Sequence, residues 1–450
     1  MPSTIYNARR RIFMIGDNQE LTADLLHEYV TKHRSVSQTT YQPLEDAYMT
    51  DYPIMHQAKK KEYKPDNRLA VNFAKYLTDV FGGFFCGIPI KIDTDEETIA
   101  DYLNLLDRYN GLDSVNAELA RHCDIYGHGY EIYYVDEDGQ IAVSALSPMD
   151  GFMIYDESIR RRPRYFVRYY TDVNNIIRGS VSDNQIVRYF MIDTSLHFTG
   201  EEQLHGFAEV PATEYKENDV RMGVFEPVMS LINALNKALS EKANDIDYFS
   251  DAYLKILGAR LENEDLETIR DDRIINLETE NGENLVVEFM GKPDGDASQE
   301  HLIDRLTKLI FTISMVANIS DEEFGNASGI SLKYKLLTMN NMAKTKERLF
   351  SASFDRRYRL IFSNPINAMK ADDWVQISYK YSRNIPTNIL DEAQTAAQLA
   401  GTTSLQTRLG VLSVVDNVQD EMDRIAKEQD VDAYATMYPT DRTGEDNGDE

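Results

Sequence analysis

Between 225 and 249, Phe225, Val228, Ile232, Leu235, Leu239, Ala243, Ile246 and Phe249 recur three and four residues apart. That spacing lays apolar side chains along one face of a helix. The stripe predicts a helix of about 25 residues, roughly 37 Å long. A second stripe, Leu302, Leu306, Leu309, Ile313 and Val316, is widened by Ile303, Ile310 and Ala317. It predicts a helix over 299–319 with neighbours on more than one side, read as core within the chain in preference to an oligomer seam. A third long helix is expected over 331–362. Joining the last two is a polar segment, 320–330, whose Gly325, Asn326, Ala327, Ser328 and Gly329 carry little side-chain bulk and tolerate unusual dihedrals. Such a loop can move while its roots stay fixed, which suggests a mechanical part more than a reaction centre.

Upstream, residues 1–19 read as an N-terminal arm and 20–34 as a short amphipathic helix (Leu21, Leu25, Leu26, Tyr29, Val30). The polar stretch to about 66, with Lys59, Lys60 and Lys61, reads as an exposed arm. A helical pattern from Asn67 through Leu69, Val71, Phe73, Ala74, Leu77, Val80 and Phe81 runs into Gly82 and Gly83, and Gly87-Ile88-Pro89 breaks it before a strand at Ile90–Ile92. Helices over 96–109 and 113–126 follow. After Gly127 the period becomes two: Tyr130–Val135 and Ile141–Leu146 flank a hairpin turn at Asp136–Gly139, and 152–155, 165–170 and 186–192 add strands. An α+β fold is expected. Between the first two long helices, 254–297 reads as a compact insert: a short helix begun by Asn263, a strand Arg273–Leu277, a turn at Glu280–Glu283 and a strand Leu285–Met290. Trp374–Tyr381 reads as a strand. Residues 386–430 read as helical, with Thr387 as a cap and Gly401 and Gly410 as punctuation; the acidic tail from Asp430 is expected to be disordered.

Composition narrows the function classes. With 42% hydrophobic and 27% charged residues, plus 27 Tyr and 18 Phe, the 450-residue chain is globular and large enough for several cores. Two cysteines, Cys86 and Cys123, cannot build a disulfide framework or a four-cysteine zinc site, and a reducing compartment fits. The basic N-terminus lacks the apolar run of a secretory signal. The longest nearly apolar run, 309–319, is about half the ~20 residues that span a bilayer, so no membrane association is expected. A formal charge of −28 repels phosphate backbones, so any DNA contact should be weak. Residues 330–370 run against that balance, with Lys333, Lys335, Lys344, Lys346, Arg348, Arg356, Arg357, Arg359 and Lys370 facing only Glu347 and Asp355. This segment needs an acidic neighbour.

Candidate chemistry is sparse. No phosphate-cradling Gly-x-x-x-x-Gly-Lys-Ser/Thr string is present, and Gly127-His128-Gly129 precedes a strand instead of opening a helix. No cofactor is expected. His122, Cys123 and His128 lack a second ligand group at metal spacing and read as buried helix-end residues. Asp93, Asp95, Glu96 and Glu97, or Asp321, Glu322 and Glu323, could hold Mg²⁺ in a metal-dependent phosphohydrolase, the rival reading. Acids at 95–97 also open a helix, where the dipole favours them without any ion. Asp294-Gly295-Asp296 begins like a calcium loop but lacks its closing Glu. No catalytic or metal residue is assigned.

Several strings in order resemble the portal proteins of tailed double-stranded DNA bacteriophages, of the type found in phages of Gram-positive hosts. They are Asn67-Arg68-Leu69-Ala70-Val71-Asn72-Phe73-Ala74-Lys75-Tyr76 running to Gly87-Ile88-Pro89; Tyr126-Gly127-His128-Gly129-Tyr130-Glu131 with Pro148 and Tyr155; and Gly325–Gly329 leading into Leu332-Lys333-Tyr334-Lys335-Leu336. The resemblance covers about 20–430. It implies a portal fold: a wing from 20–224 and 331–383 (the latter the long basic helix and a strand), stem helices at 225–253 and 298–319, an αββ clip at 254–297, a tunnel loop at 320–330, a helical crown at 384–430 and a disordered tail at 431–450. It further implies a structural, non-enzymatic ring of about twelve subunits at one capsid vertex, the conduit for DNA packaging and ejection, assembled in the host cytoplasm and retained in the virion. Implied partners are double-stranded DNA held transiently, the terminase large subunit, the head-completion adaptor, and major capsid and scaffolding proteins. Glu323, Phe324, Gly325, Asn326, Ala327, Ser328 and Gly329 would line the tunnel; Lys333 and Lys335 could touch phosphate. Arg270, Arg273, Glu280, Asn281 and Glu283 would dock partners at the clip, and Arg356, Arg357 and Arg359 would pair with acids of adjacent subunits.

Overall fold

The computed structural model describes residues 5–61, 64–250, 254–257, 286–289, 296–320, 334–367, 369–384, 389–412, 414–415 and 418–437. The loop at 321–333, most of the 254–297 insert, Thr387 and 438–450 lie outside the described residues; the tail expected to be disordered from Asp430 is instead helical as far as Met437. Those described fall into two units, one within Met1–Ala327 and Ser331–Asn384 and the other within Ile385–Glu450.

The first unit is α+β. Its larger sheet has seven strands in the order β1-β2-β6-β7-β8-β9-β10, built from β1 (Tyr6–Asn7), β2 (Ile12–Ile15), β6 (Gly151–Asp156), β7 (Pro163–Thr171), β8 (Ile177–Ser182), β9 (Ile186–Ile192) and β10 (Leu196–Leu204). All pairs are antiparallel except β2 with β6. A smaller sheet, β11-β4-β5, joins β11 (Ala212–Lys216) to the hairpin of β4 (His128–Val135) and β5 (Ile141–Leu146). Ile12, Tyr130, Met153, Tyr155, Phe166, Val210 and Ala212 form a buried cluster contributed by both sheets. The expected hairpin is in register, with Tyr130 opposite Leu146 and Val135 opposite Ile141.

Two expectations near the N-terminus are corrected. Residues 12–15 are not a free arm: Ile12, Phe13 and Ile15 are buried, and β2 lies beside β6 with Phe13 opposite Ile154. Nor is the stretch after 34 exposed. Helix α1 (Ala23–Val36), capped by the Thr22 hydroxyl on Leu25 N, runs through a π turn (Ser37–Tyr41) into α2 (Gln42–Tyr48). Tyr41, Leu44, Ala47, Tyr52 and Ile54 are buried there. Single apolar residues spread among polar ones anchor this segment, a pattern too sparse to show a helical period.

Next comes α3 (Phe73–Cys86), followed by β3 (Lys91–Asp93), α4 (Glu97–Asn110) and α5 (Leu112–Tyr126). Helix α5 ends at Gly127, φ 85°, where a Cβ would lie 2.1 Å from the Arg221 carbonyl group, so only glycine fits. Two long helices, α6 (Met229–Ser250) and α7 (Asp296–Ser314), bracket the antiparallel pair β12 (Leu254–Leu257) and β13 (Val286–Phe289). The long basic helix α8 (Leu337–Ser363) follows, and β14 (Ser378–Lys380) returns to pair with β3. The second unit holds α9 (Ile389–Gln398), α10 (Leu405–Leu409) and α11 (Val418–Met437), with Ser404 capping α10 through Thr407 N.

Candidate functional site

The expected helix at 67 begins only at Phe73, and the reason lies on α6. Residues 67–72 are extended, and the amides of Asn67, Leu69 and Val71 donate to Asn244 Oδ1 (2.6 Å), Ser240 Oγ (2.9 Å) and Asn236 Oδ1 (2.8 Å). Alternate residues of an extended segment thus meet a polar row at i, i+4 and i+8 of a helix, one turn apart. Asn236, Ser240 and Asn244 are buried. Sequence reasoning missed them; the signal was three small polar residues at helical spacing beside an apolar stripe.

Helices α6 and α7 pair through Ile232, Leu235, Leu306 and Ile310, all buried, with Lys242 bridging to Glu300 and Gln299 Nε2 donating to Asp245 (2.8 Å). Helix α7 stops at Ser314, five residues before the expected end, because Met315 takes φ 59° and turns the chain. The roots of the 321–333 segment are tied down. Phe311 packs edge-on against Phe73 (5.5 Å) and Tyr76 (5.8 Å), the Tyr76 and Ser320 hydroxyls lie 3.3 Å apart, and Thr338 Oγ1 donates to Met315 O (3.4 Å). One edge of the α7 stripe and the residues just after the helix depart from the expected core: Leu302 is 51%, Ile313 45% and Ile319 49% exposed. Among the described residues these three side chains are only about half covered by their own chain.

The basic helix finds its acids inside its own chain. Arg357 is wholly buried; Nε and Nη2 donate to Glu131 at 2.9 and 2.6 Å, and Nη2 also donates to Asn116 Oδ1 (2.6 Å). The hydroxyls of Tyr133 and Tyr215 donate to the same carboxylate (2.6 and 2.9 Å). Arg356 pairs with Glu209 and donates to the Ala212 and Val210 carbonyls; Arg359 pairs with Glu209 at 3.2 Å. The expectation that these arginines meet acids of adjacent subunits is corrected for Arg357, whose guanidinium reaches no surface, and Arg356 and Arg359 already hold a partner in the chain. Charge counting along the sequence shows an unmatched segment, but not that Glu131 and Glu209 fold against it.

Lys346, on the same helix, is also fully buried, with Asp124 Oδ1 at 2.5 Å, Glu217 Oε2 at 2.9 Å and the Ala120 carbonyl at 3.2 Å. Its ammonium lies over the rings of Phe81, Phe85 and Phe350 at 4.7–5.5 Å. Burial pushes the Asp124 carboxyl well above the usual carboxylate range. Burial would lower Lys346, but Asp124 and Glu217 outweigh it and hold the ammonium charged. Two further pairs sit beside β2: Arg221 grips Glu214 at 2.5 and 2.7 Å, and Arg11 grips Glu226 at the foot of α6. Burial alone would raise Glu214; Arg221 instead brings it down to about 2.

His122, Cys123 and His128 are buried, and burial lowers His122 to about 4 and His128 to about 3. The His128 ring meets the Tyr41 hydroxyl (3.2 Å) and Glu214 (3.5 Å). Asp93 pairs with Lys91 (3.3 Å) and accepts from Thr94 N (3.0 Å). Among the described residues no group of three or more His, Cys, Asp or Glu is placed to hold a metal ion, and no helix is long and apolar enough to cross a membrane. Lys335 is half-buried just before α8. The other tunnel and clip candidates, Glu323–Gly329, Lys333, Arg270, Arg273, Glu280, Asn281 and Glu283, lie outside the described residues.

Comparison with known proteins places the chain. The portal protein of Clostridium phage phiCD119 is 22% identical over 403 residues, covering 82% of this chain and 86% of its own. That of Bacillus phage SPP1 is 23% identical over 430 residues, covering 88% and 82%. Two solved structures, the neck of an empty gene transfer agent particle and the virion of a native one, align at TM-score 0.45 with 14% and 12% identity, each over 84% of this chain and 93% and 98% of theirs. The family model described as phage portal protein, SPP1 Gp6-like, matches residues 27–433. Spanning most of the chain, that match makes it a member of the SPP1 Gp6-like phage portal protein family.

Proposed function

We propose that copies of this chain close into a ring of about twelve subunits at one capsid vertex, the conduit through which double-stranded DNA is packaged and ejected. The observation that carries the reading is the exposure of Leu302 and Ile313, two apolar side chains at the edge of the α7 stripe whose Leu306 and Ile310 are buried. A neighbouring copy would cover the exposed pair, leaving the 320–330 segment near the axis on tied roots. The formal charge of −28 per chain keeps DNA from adhering to such a wall, so the duplex slides. The 254–297 insert would dock the terminase large subunit and later the head-completion adaptor, and the outer parts would meet major capsid and scaffolding proteins, first in the host cytoplasm and then in the virion. No step in this role calls for catalysis by the chain.

Electron microscopy of the purified protein tests the ring directly; particles without a central hole, with scaffold present or absent, would end the reading. Ile313→Asp should leave the chain folded, since the side chain is 45% exposed, yet cut ring yield severely. Leu306→Asp, at 8% exposure, should instead abolish folding by burying an unpaired charge. Native mass spectra and circular dichroism of the two variants separate these outcomes. Deleting 325–329 should leave rings intact and reduce packaged DNA; loss of ring assembly would make the segment architectural.

A further inference from the structure

The layer between the two sheets opens at two mouths of opposite charge. One, of about 810 Å³, is bordered by β4, β5, β7, β8, β9 and β10; Ile132, Phe166 and Val187 line it, and Tyr134, Tyr189 and Leu204 are exposed around it. Asp136, Glu137 and Asp138 of the β4–β5 turn stand at its rim, and Arg168 is the cation among its lining residues. The other, of about 480 Å³, is bordered by β11 and the β6–β7 turn and carries Arg10, Arg160 and Arg161. An adjoining hollow adds Arg162 and Asp17.

The acids at this second mouth are mostly engaged. Glu214 is held by Arg221, Asp219 by Lys216 (3.4 Å), and Asp156 accepts from Ser158 and from Arg162 N (2.9 Å). Among the described residues the guanidinium groups of Arg10, Arg160 and Arg161 make no ion pair. Arg161 takes φ 47°, a conformation that glycine or asparagine adopts more easily, so the turn presents its arginine against local preference. Beside it Ile159 is fully exposed at 103%. An aliphatic knob ringed by arginines suits an acid-rimmed apolar hollow better than it suits a phosphate backbone.

The acidic mouth takes Ile132–Asp138 and Ser144–Leu146 of the small sheet and the basic mouth takes Glu214 and Lys216 of β11, so the two open at different places on it. Complementary patches at different places on one molecule make a head-to-tail contact, the kind that closes rings. We propose that the Ile159–Arg162 turn of one copy seats in the acidic mouth of the next, with Ile159 entering the apolar hollow and Arg160 and Arg161 meeting Glu137 and Asp138. The proposal rests on the ring reading above and assigns one of its contacts. It also gives a net acidic chain a local attraction, one that salt weakens.

Charge reversal tests it. Sedimentation velocity at low salt should show that Arg160→Glu with Arg161→Glu raises the concentration needed for half-assembly by about tenfold or more, as should Glu137→Lys with Asp138→Lys. Combining all four in one chain should restore assembly to near the unaltered midpoint, and Ile159→Ala should weaken it without changing its salt dependence. Circular dichroism should show every variant folded, since the sites are exposed or half-buried. Unchanged midpoints, or a fourfold variant no better than the worse pair, would overturn the proposal. So would loss of retention of a short DNA duplex by the Arg160/Arg161 variant with assembly intact, which would assign the basic mouth to nucleic acid. An unaltered chain that stays monomeric would overturn the ring reading itself.

Discussion

Replacing Arg357 with Met should lower the unfolding free energy by about 3–5 kcal/mol, because it leaves a buried carboxylate without its cation. Glu131 would keep the Tyr133 and Tyr215 hydroxyls but lose the two-pronged guanidinium contact, and Asn116 Oδ1 would lose its donor. Urea unfolding followed by Trp374 fluorescence and circular dichroism measures the loss. Adding Glu131→Gln should recover part of it, since the stranded charge is then gone and the tyrosines keep an acceptor. A loss below about 1 kcal/mol would show that the pair is not what joins α8 to the small sheet.

Lys346→Met should cost a similar amount at neutral pH, about 3–5 kcal/mol, with a distinctive pH dependence. In the unaltered chain the Lys346 pKa is raised above 10.5, so its contribution is complete below that pH and fades only as pH rises through the folded value. Asp124 is raised above 3.8 by burial and pulled back by Lys346. Without the lysine that restraint goes, and the native state keeps the Asp124 proton to still higher pH, whereas the unfolded chain releases it above about pH 4. Stability of the variant should therefore fall as pH rises from the acid range toward neutrality, and the deficit should be smaller at about pH 5 than at about pH 8. Parallel urea titrations at the two pH values check the sign. A deficit independent of pH would mean that Lys346 does not restrain the Asp124 carboxyl.

Periodicity alone carried the long helices, the Tyr130–Leu146 hairpin and the α+β class, because one-face burial imposes its period on consecutive residues wherever an element packs on one side. The same local signal placed Gly127 at a helix end. Partners distant in the chain were beyond it. Arg357 and Glu131 are 226 residues apart, Lys346 and Asp124 222, and Val71 and Asn236 165. The sequence shows a basic helix in need of acids; only packing decides that they belong to the same chain. Likewise an apolar position at the right spacing states that something covers it, as for both Leu306 and Ile313, while tertiary structure decides that the first is buried within the chain and the second stays about half exposed. Spacing along a helix reports an azimuth, and burial depends on what folds against that azimuth from elsewhere.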